Sequence, residues 1–276
     1  IPESFPDFSD VFQEIVETPL LRQAANALSK QAWEEAEHWF RQHLTFDQRS
    51  QEAHTGLGIT LLAQGLPRAA VQSLRAARHV HPLHAQISSQ LGSALYSIGR
   101  FAEGKACHRW AIEQSPDDPS IHAMSLVDRM HDPEDNAHDI AAAFHQWGRH
   151  FAATSDDAPD FNKPEPKDLL TIGYVIGNQG GTANGEAVAA ILSNHDSQKF
   201  ETVGFGFGAL SDGANTMFQK CINRWHDVTG IDPLTLRAII NAEEVDILVD
   251  ISGFGAPPLL ASMGLRSAPC QVAWLE

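Results

Sequence analysis

Residues 57–90 (LGITLLAQGLPRAAVQSLRAARHVHPLHAQISSQ) and residues 91–116 (LGSALYSIGRFAEGKACHRWAIEQSP) decide the fold of the first half of this chain. The two stretches carry the same markers 34 residues apart, namely a Leu-Gly pair, a turn glycine and a proline. The matched markers are Leu57-Gly58 with Leu91-Gly92, Gly65 with Gly99, and Pro82 with Pro116. Apolar residues at helical spacing lie between them, so the pattern predicts repeated helix–turn–helix units that stack on one another.

A period of 34 residues is the length of a tetratricopeptide (TPR) unit. Counting back one period adds a third unit, in which a small residue at the helix crossing is again followed four residues later by a larger one. These pairs are Ala36 with Phe40, Ala70 with Leu74, and Gly104 with His108. About three units are needed for a stable array, because a single unit cannot bury its apolar face. The alternative is an unrelated helical bundle with chance spacing, and the coincident markers favour an all-α TPR superhelix.

Composition limits the classes of partner. The 276 residues suffice for two domains, and the formal net charge of −16 argues against binding to nucleic acid or to an anionic membrane. The three cysteines, Cys107, Cys221 and Cys270, share no metal-binding or redox spacing, which favours a reducing compartment. No apolar run has the length of a membrane span. We therefore expect a cytoplasmic protein that binds neither membranes nor nucleic acid.

The character of the sequence changes after residues 152–167 (AATSDDAPDFNKPEPK), which are rich in Asp and Pro and read as a linker. We expect a helical-repeat domain over residues 1–151 and a second domain over residues 168–276. In the second domain, short apolar runs alternate with helical patterns. The predicted strands are 169–175, 200–207, 246–251 and 271–275, and the predicted helices are 186–193 and 233–241. This alternation predicts a parallel sheet in a Rossmann-like α/β lobe.

Two local patterns carry candidate chemistry. The first strand leads into the glycine-rich turn 177–181 (GNQGG), which can present backbone N–H groups to a phosphate or a sugar oxygen, or can simply form a tight turn. The spacing is not that of a dinucleotide-binding fingerprint. Glu186 is either a general base facing a cleft or an acidic residue that favours a helix start.

Other clusters point to structure rather than chemistry. His79, His81 and His84 match no common zinc pattern, so a solvated helix terminus is favoured over a metal site. The sequence pattern gives no Ser/His/Asp combination, P-loop or pair of carboxylates with catalytic spacing. We therefore expect no metal site and no hydrolase-type triad.

Several motifs together resemble one family. The helical connection 124–152 (MSLVDRMHDPEDNAHDIAAAFHQWGRHFA) contains a DPE motif, and strand motifs follow in the second half. They are IGYV at 172–175, KFE at 199–201, DILVD at 246–250 and LRSAPCQVAWL at 265–275. With the TPR array, these motifs resemble the O-linked N-acetylglucosamine transferase (SPINDLY-like) glycosyltransferases over nearly the whole chain.

The resemblance implies a fold and an activity. In that family two Rossmann lobes hold a UDP-sugar between them, mostly through the second lobe, and the helical array presents a protein acceptor in its groove. The sugar passes to Ser or Thr with inversion and without a metal. This chain then corresponds to the repeats and to half of a two-lobed glycosyltransferase, with no cofactor beyond the UDP-sugar donor.

The resemblance also assigns site residues. A gapless register puts Thr182 and Glu186 at the positions of two family histidines, which makes them the candidate catalytic residues. Four further positions are candidate substrate-binding residues: Asn178, Gly253, Arg266 and Gln271. The family's Gly-His-Thr turn is Gly253-Phe254-Gly255 here, and the basic residue expected in the next helix is replaced by Leu259. Neither Thr nor Phe can accept a proton as an imidazole does.

Two hypotheses follow. In the first, the chain belongs to a UDP-sugar-dependent, inverting protein O-glycosyltransferase whose second lobe lies beyond Glu276 or on another chain, and the chain alone is inactive. The sheet stops next to its last predicted strand, which motivates this hypothesis. In the second, the chain is a non-catalytic TPR adaptor with a degenerate transferase lobe that binds protein partners. The replaced histidines motivate the second hypothesis.

Overall fold

The computed structural model describes residues 18–152, 167–177, 183–207 and 217–274 of the chain. The chain divides into two compact units, with the border between Trp147 and Gly148. Most of the predicted linker 152–167 lies outside the described residues. No helix in the described ranges is both long and apolar enough to cross a bilayer.

Eight helices were found in the described part of the first unit and at its border. They are α1 (Pro19–Ser29), α2 (Trp33–Phe46), α3 (Gln51–Ala63), α4 (Pro67–Val80), α5 (Ala85–Tyr96), α6 (Phe101–Gln114), α7 (Pro119–Arg129) and α8 (Ala137–Phe151). Each helix from α1 to α6 packs on the next one along the chain. Short turns join these neighbours, which makes each pair antiparallel. The predicted helical-repeat architecture is confirmed.

The 34-residue period is present in the backbone itself. Gln31, Gly65 and Gly99 have φ angles of 55°, 73° and 76°, so each turn between the two helices of a unit passes through the left-handed region. Glycine adopts this conformation with little steric penalty, which explains why two of the three turns carry it.

Small residues at the helix crossings allow close packing. A Cβ added to Gly58 would lie 2.5 Å from Leu74 Cγ, and one added to Gly92 would lie 2.7 Å from His108 Nε2. Ala24, one period before Gly58, is fully buried, and so are Ala36 and Ala70, the small residues of the second helices. The sequence pattern of a small residue opposite a larger one is therefore the packing rule of this array.

The second unit contains a five-stranded parallel sheet with the strand order β3-β2-β1-β4-β5. The strands are β1 (Leu170–Ile176), β2 (Phe200–Gly206), β3 (Arg224–Asp227), β4 (Ile247–Asp250) and β5 (Cys270–Ala273). The helices α9 (Ala183–Leu192), α10 (Pro233–Ala242) and α11 (Pro257–Ser262) lie between strands in the chain. The predicted parallel α/β arrangement is confirmed, and β3 is a strand that the sequence pattern did not predict.

Helices cover both faces of this sheet. On one face, Phe205 and Leu248 pack in a core with Leu236 and Ile240 of α10 and Leu259 of α11. On the other face, the sheet residues Ile172, Tyr174 and Val249 share a core with Val188 and Leu192 of α9. The sheet is thus buried from both sides, as expected for parallel strands with crossover helices.

Candidate functional site

The strand order reverses its direction between β1 and β4. From β1 the chain proceeds outward to β2 and β3, and from β4 it proceeds to β5 on the other side. Open α/β sheets bind ligands in the crevice at the carboxyl ends of the strands at such a switch point. The segments that follow β1 at Gly177 and β4 at Ser252 are therefore the candidate site.

Ser252 ties the ends of the two strands together. Its Oγ donates a hydrogen bond to Val175 O at 3.1 Å and accepts one from the Gly177 N–H. The side chain is buried, at 3% exposure. A Cβ on Gly177 would lie 2.9 Å from Ala256 Cβ, so only glycine fits here without a shift of the backbone. The floor of the crevice is consequently fixed by direct contacts.

Asp250 is the carboxylate of this crevice. It lies at the end of β4 with 1% exposure, and its Oδ1 accepts the N–H groups of Ser252 at 2.9 Å and Gly253 at 3.3 Å. Its Oδ2 has no hydrogen-bond partner among the described residues. Burial raises the pKa of this carboxyl, against the opposing effect of the two N–H groups. A protonated Asp250 could donate to a ligand oxygen, and an ionised one could accept from a hydroxyl.

The structure brings two of the sequence-predicted residues to this same edge. Gly253 directly follows β4 and has a φ of 43°. Glu186 is exposed in the first turn of α9, the helix that follows β1. Asn178 and Thr182 lie outside the described residues.

The other two predicted residues lie at the opposite end of the sheet. Arg266 precedes β5 by four positions, and β5 begins level with the start of β4, where Cys270 pairs with Ile247. A four-residue strand spans about 13 Å. Arg266 is exposed and adopts a left-handed conformation with φ 50°. The structure therefore does not bring Arg266 together with Gly253.

Gln271 has both ends of its amide bonded within the unit. Its Oε1 accepts the Ser267 N–H at 2.8 Å, and its Nε2 donates to Met263 O at 2.8 Å. These bonds fasten the turn that leads into β5. The roles of Gln271 and Arg266 in substrate binding stay predictions.

His79, His81 and His84 lie between the last turn of α4 and the start of α5. The side chains of His79, His81 and His84 are exposed, and no group of metal-ligating side chains occurs in the described part of the chain. The His84 imidazole is nevertheless partly desolvated by its surroundings, which lowers its pKa, and the neighbouring His81 lowers the pKa further. This arrangement fits a solvated helix end.

The repeat unit contains a buried Ser/His/Asp network that the sequence pattern did not reveal. Ser89 Oγ lies 3.3 Å from His108 Nδ1, and His108 Nε2 lies 2.8 Å from Asp128 Oδ2. The three residues come from α5, α6 and α7, so their sequence spacing gave no signal. Ser89 is fully buried and His108 is 2% exposed, which leaves no access for a substrate. The network is structural.

The DPE motif also has a structural role. Asp132 Oδ1 accepts the Glu134 N–H at 2.8 Å, and Lys105 Nζ lies 2.8 Å from Asp132 Oδ2. The Lys105 ammonium holds the pKa of Asp132 below its usual range. The motif thereby joins α6 to the connection between α7 and α8.

Curated proteins with a similar sequence share one description. No family model matches the chain. Proteins described as "Probable UDP-N-acetylglucosamine--peptide N-acetylglucosaminyltransferase SPINDLY" are 26% identical in Oryza sativa subsp. japonica and 29% identical in Hordeum vulgare, each over 158 residues. Both matches cover 55% of this chain and 16% of the relative, so the chain spans about a sixth of the length of these relatives.

A solved structure extends the likeness to both units. An O-GlcNAc transferase mutant of Thermobaculum terrenum matches with a TM-score of 0.79 and 25% identity. The match covers 93% of this chain and 49% of that chain. The resemblance to O-GlcNAc transferases of the SPINDLY type, which the motifs indicated, is confirmed.

Proposed function

We propose that this chain supplies the helical-repeat domain and the first Rossmann-like lobe of a protein O-glycosyltransferase. The enzyme transfers a sugar from a UDP-sugar to Ser or Thr of a protein acceptor. The observation that carries the proposal is the likeness to the Thermobaculum terrenum O-GlcNAc transferase, which covers 93% of the chain. The names of the plant relatives make UDP-N-acetylglucosamine the first donor to test.

The donor is held mostly by residues outside this chain, on the same polypeptide or on a second one. The chain corresponds to about half of the Thermobaculum terrenum protein, and the family resemblance assigns the donor contacts largely to a second lobe. We therefore propose that the 276 residues alone are inactive. The three free thiols fit a reducing cytoplasm as the site of action.

At the switch point, each group has a distinct role in the proposed reaction. Asp250 and Ser252 hold the floor of the crevice, and Asp250 Oδ2 offers a polar contact to a hydroxyl or oxygen of a ligand. Glu186 is exposed on the same edge and takes the place of a family histidine. A carboxylate can accept the proton of an attacking hydroxyl, and general-base catalysis of this kind contributes about 10²- to 10⁴-fold to the rate.

The experiment uses the complete gene product with UDP-N-acetylglucosamine and a set of protein acceptors. Transfer is followed by mass spectrometry of Ser and Thr sites together with UDP release. Glu186→Gln should lower kcat at least tenfold, whereas Glu113→Gln, an exposed control on α6, should leave it unchanged. Unchanged kcat in Glu186→Gln contradicts the base assignment. Absence of transfer from any UDP-sugar, with protein binding retained, contradicts the transferase and supports the adaptor.

A further inference from the structure

A groove on the repeat unit lies between α4, α5 and α6. We call it the arginine groove and define it by Arg75, Arg78, Leu91, Leu95, Glu103 and Cys107. Its volume is about 500 Å³, which is enough for two or three side chains of a bound peptide. Leu91 and Leu95 of α5 lie buried beneath the groove, at 3% and 1% exposure, and the exposed apolar residues of its lining are Pro82 and Ala106. The charged residues belong to α4 and α6.

The groove is positively charged, whereas the protein as a whole is negatively charged. The chain as a whole has a net charge of −16, yet α4 (PRAAVQSLRAARHV) has three arginines, one histidine and no acidic residue. Two of these arginines, Arg75 and Arg78, line the groove beside His79. The one acidic lining residue is Glu103, and it also pairs with Arg100. The groove therefore has an excess of positive charge.

Arg75 and Arg78 make only weak contacts with the side chains around them. Arg75 Nη2 lies 3.4 Å from Glu103 Oε2, in an ion pair whose side chains are about half exposed. Arg78 Nη1 donates to Cys107 Sγ at 3.3 Å, and a thiol is a poor acceptor. Burial raises the pKa of Cys107, so this thiol is neutral at pH 7 and offers Arg78 no negative charge. Exposed ion pairs contribute little free energy, so an incoming carboxylate can replace Glu103 on Arg75.

We propose that the arginine groove docks an acidic segment of a partner protein, with a carboxylate on the arginines and an apolar side chain against Pro82 and Ala106. Arginine binds carboxylates through two parallel N–H bonds, and such a contact fixes the orientation of the bound segment. Contact with these two exposed apolar residues adds the burial that a purely electrostatic contact lacks. This surface is separate from the crevice of the second unit, and the proposal does not depend on the transferase activity.

The test measures binding of fluorescein-labelled eight-residue peptides to the 276-residue chain by fluorescence anisotropy. Each peptide has one central Leu or Phe flanked by Asp and Glu, and a matched panel has Asn and Gln instead. We expect at least one acidic peptide to bind. Its amide counterpart should have a Kd at least tenfold higher, and added salt should also raise the Kd of the acidic peptide. The proposal is overturned if every acidic peptide has a Kd above about 1 mM, which is on the order of the weakest specific contacts.

Matched variants locate the binding. Arg78→Glu should abolish binding, and so should the double variant that carries Arg75→Glu as well. The control Arg68→Glu makes the same charge change on α4 outside the groove and should change the Kd less than twofold. Ala106→Trp fills the groove from its exposed rim and should also block binding. Circular dichroism checks that each variant keeps its helices. Equal losses in Arg68→Glu and Arg78→Glu, or equal binding of polyglutamate without an apolar residue, overturn the proposal.

Discussion

His108 Nε2 on α6 lies 2.8 Å from Asp128 Oδ2 on α7, and this hydrogen bond joins the third repeat to the helix that follows it. His108 occupies the position that Phe40 and Leu74 fill in the earlier units. A buried imidazole requires hydrogen-bond partners that an apolar side chain does not. Ser93 Oγ also donates to Asp128 Oδ2, at 2.5 Å, so one carboxylate serves two helices.

Asp128→Ala should therefore lower the free energy of unfolding by about 1–3 kcal/mol, since it leaves His108 buried without its main acceptor. Urea denaturation followed by circular dichroism measures the change. Asp117→Ala removes an exposed carboxylate in the preceding turn and should stay within about 0.5 kcal/mol of the wild type. A loss below that level in Asp128→Ala contradicts a stabilising role for the network.

Gly58→Ala should destabilise the repeat array although alanine favours helices. The new methyl group would lie 2.5 Å from Leu74 Cγ, and Leu74 is fully buried. Overpacking of this kind costs about 1–3 kcal/mol, which exceeds the helix-propensity gain of about 1 kcal/mol. Gly148→Ala on α8 is the control, because nothing lies within 4 Å of its added Cβ, and it should be neutral or stabilising. Equal effects of the two changes on urea midpoints contradict the packing rule.

Gly65→Ala should destabilise the repeat array through its backbone conformation instead of through crowding. No atom lies within 4 Å of the added Cβ, but the φ of 73° places an L side chain in the left-handed region, at a cost of about 1 kcal/mol. Gly65→Asn should lose less, because asparagine tolerates this conformation. Thermal unfolding of both variants checks the order. Equal stability of the alanine variant and the wild type shows that the turn relaxes without strain.

Asp250→Asn tests the buried carboxyl through pH. The pKa of Asp250 is raised in the folded state, so the folded protein binds this proton more tightly than the unfolded chain does. The stabilising contribution is full below the unfolded pKa of about 3.9 and is lost as the pH rises through the folded pKa. Asparagine imitates the protonated acid and should raise the free energy of unfolding relative to the wild type at pH 8.

The gain of Asp250→Asn should shrink as the pH falls toward 4, where the wild-type carboxyl becomes protonated. Urea denaturation of both proteins across this range gives the difference directly. Asp227→Asn removes an exposed carboxylate at the end of β3 and serves as the matched control. A gain that is constant from pH 4 to pH 8 contradicts a raised pKa at Asp250.

Periodicity made most of the architecture predictable. The repeats are visible in sequence because turn glycines and small crossing residues recur with the helical unit, and the buried strands β1, β2 and β4 are nearly continuous apolar runs. Strand β3 (RWHD) was missed because it lies at the sheet edge and is polar. Its polar side chains bind distant partners, as in the 2.6 Å contact between Arg224 Nη1 and Glu201 Oε1. Contacts between residues far apart in the chain cannot be predicted from the local sequence pattern.

The candidate site was less predictable. The resemblance pointed to Gly253 and Glu186, which do lie at the same edge of the sheet, but it also pointed to Arg266 and Gln271 at the other end. Asp250 stood in the sequence as part of a strand motif, and its unpartnered Oδ2 depends on burial by residues far apart in the chain. An acidic residue at the carboxyl end of a buried parallel strand is the signal that could have identified it.

The most direct test of the central claim is the intact mass of acceptor proteins after incubation with the complete gene product and UDP-sugars. The account predicts the addition of a sugar at Ser or Thr, with release of UDP in equal amount and no transfer by the 276 residues alone. An acceptor set that stays unmodified with every UDP-sugar, while the protein is folded and binds partners, contradicts the assignment.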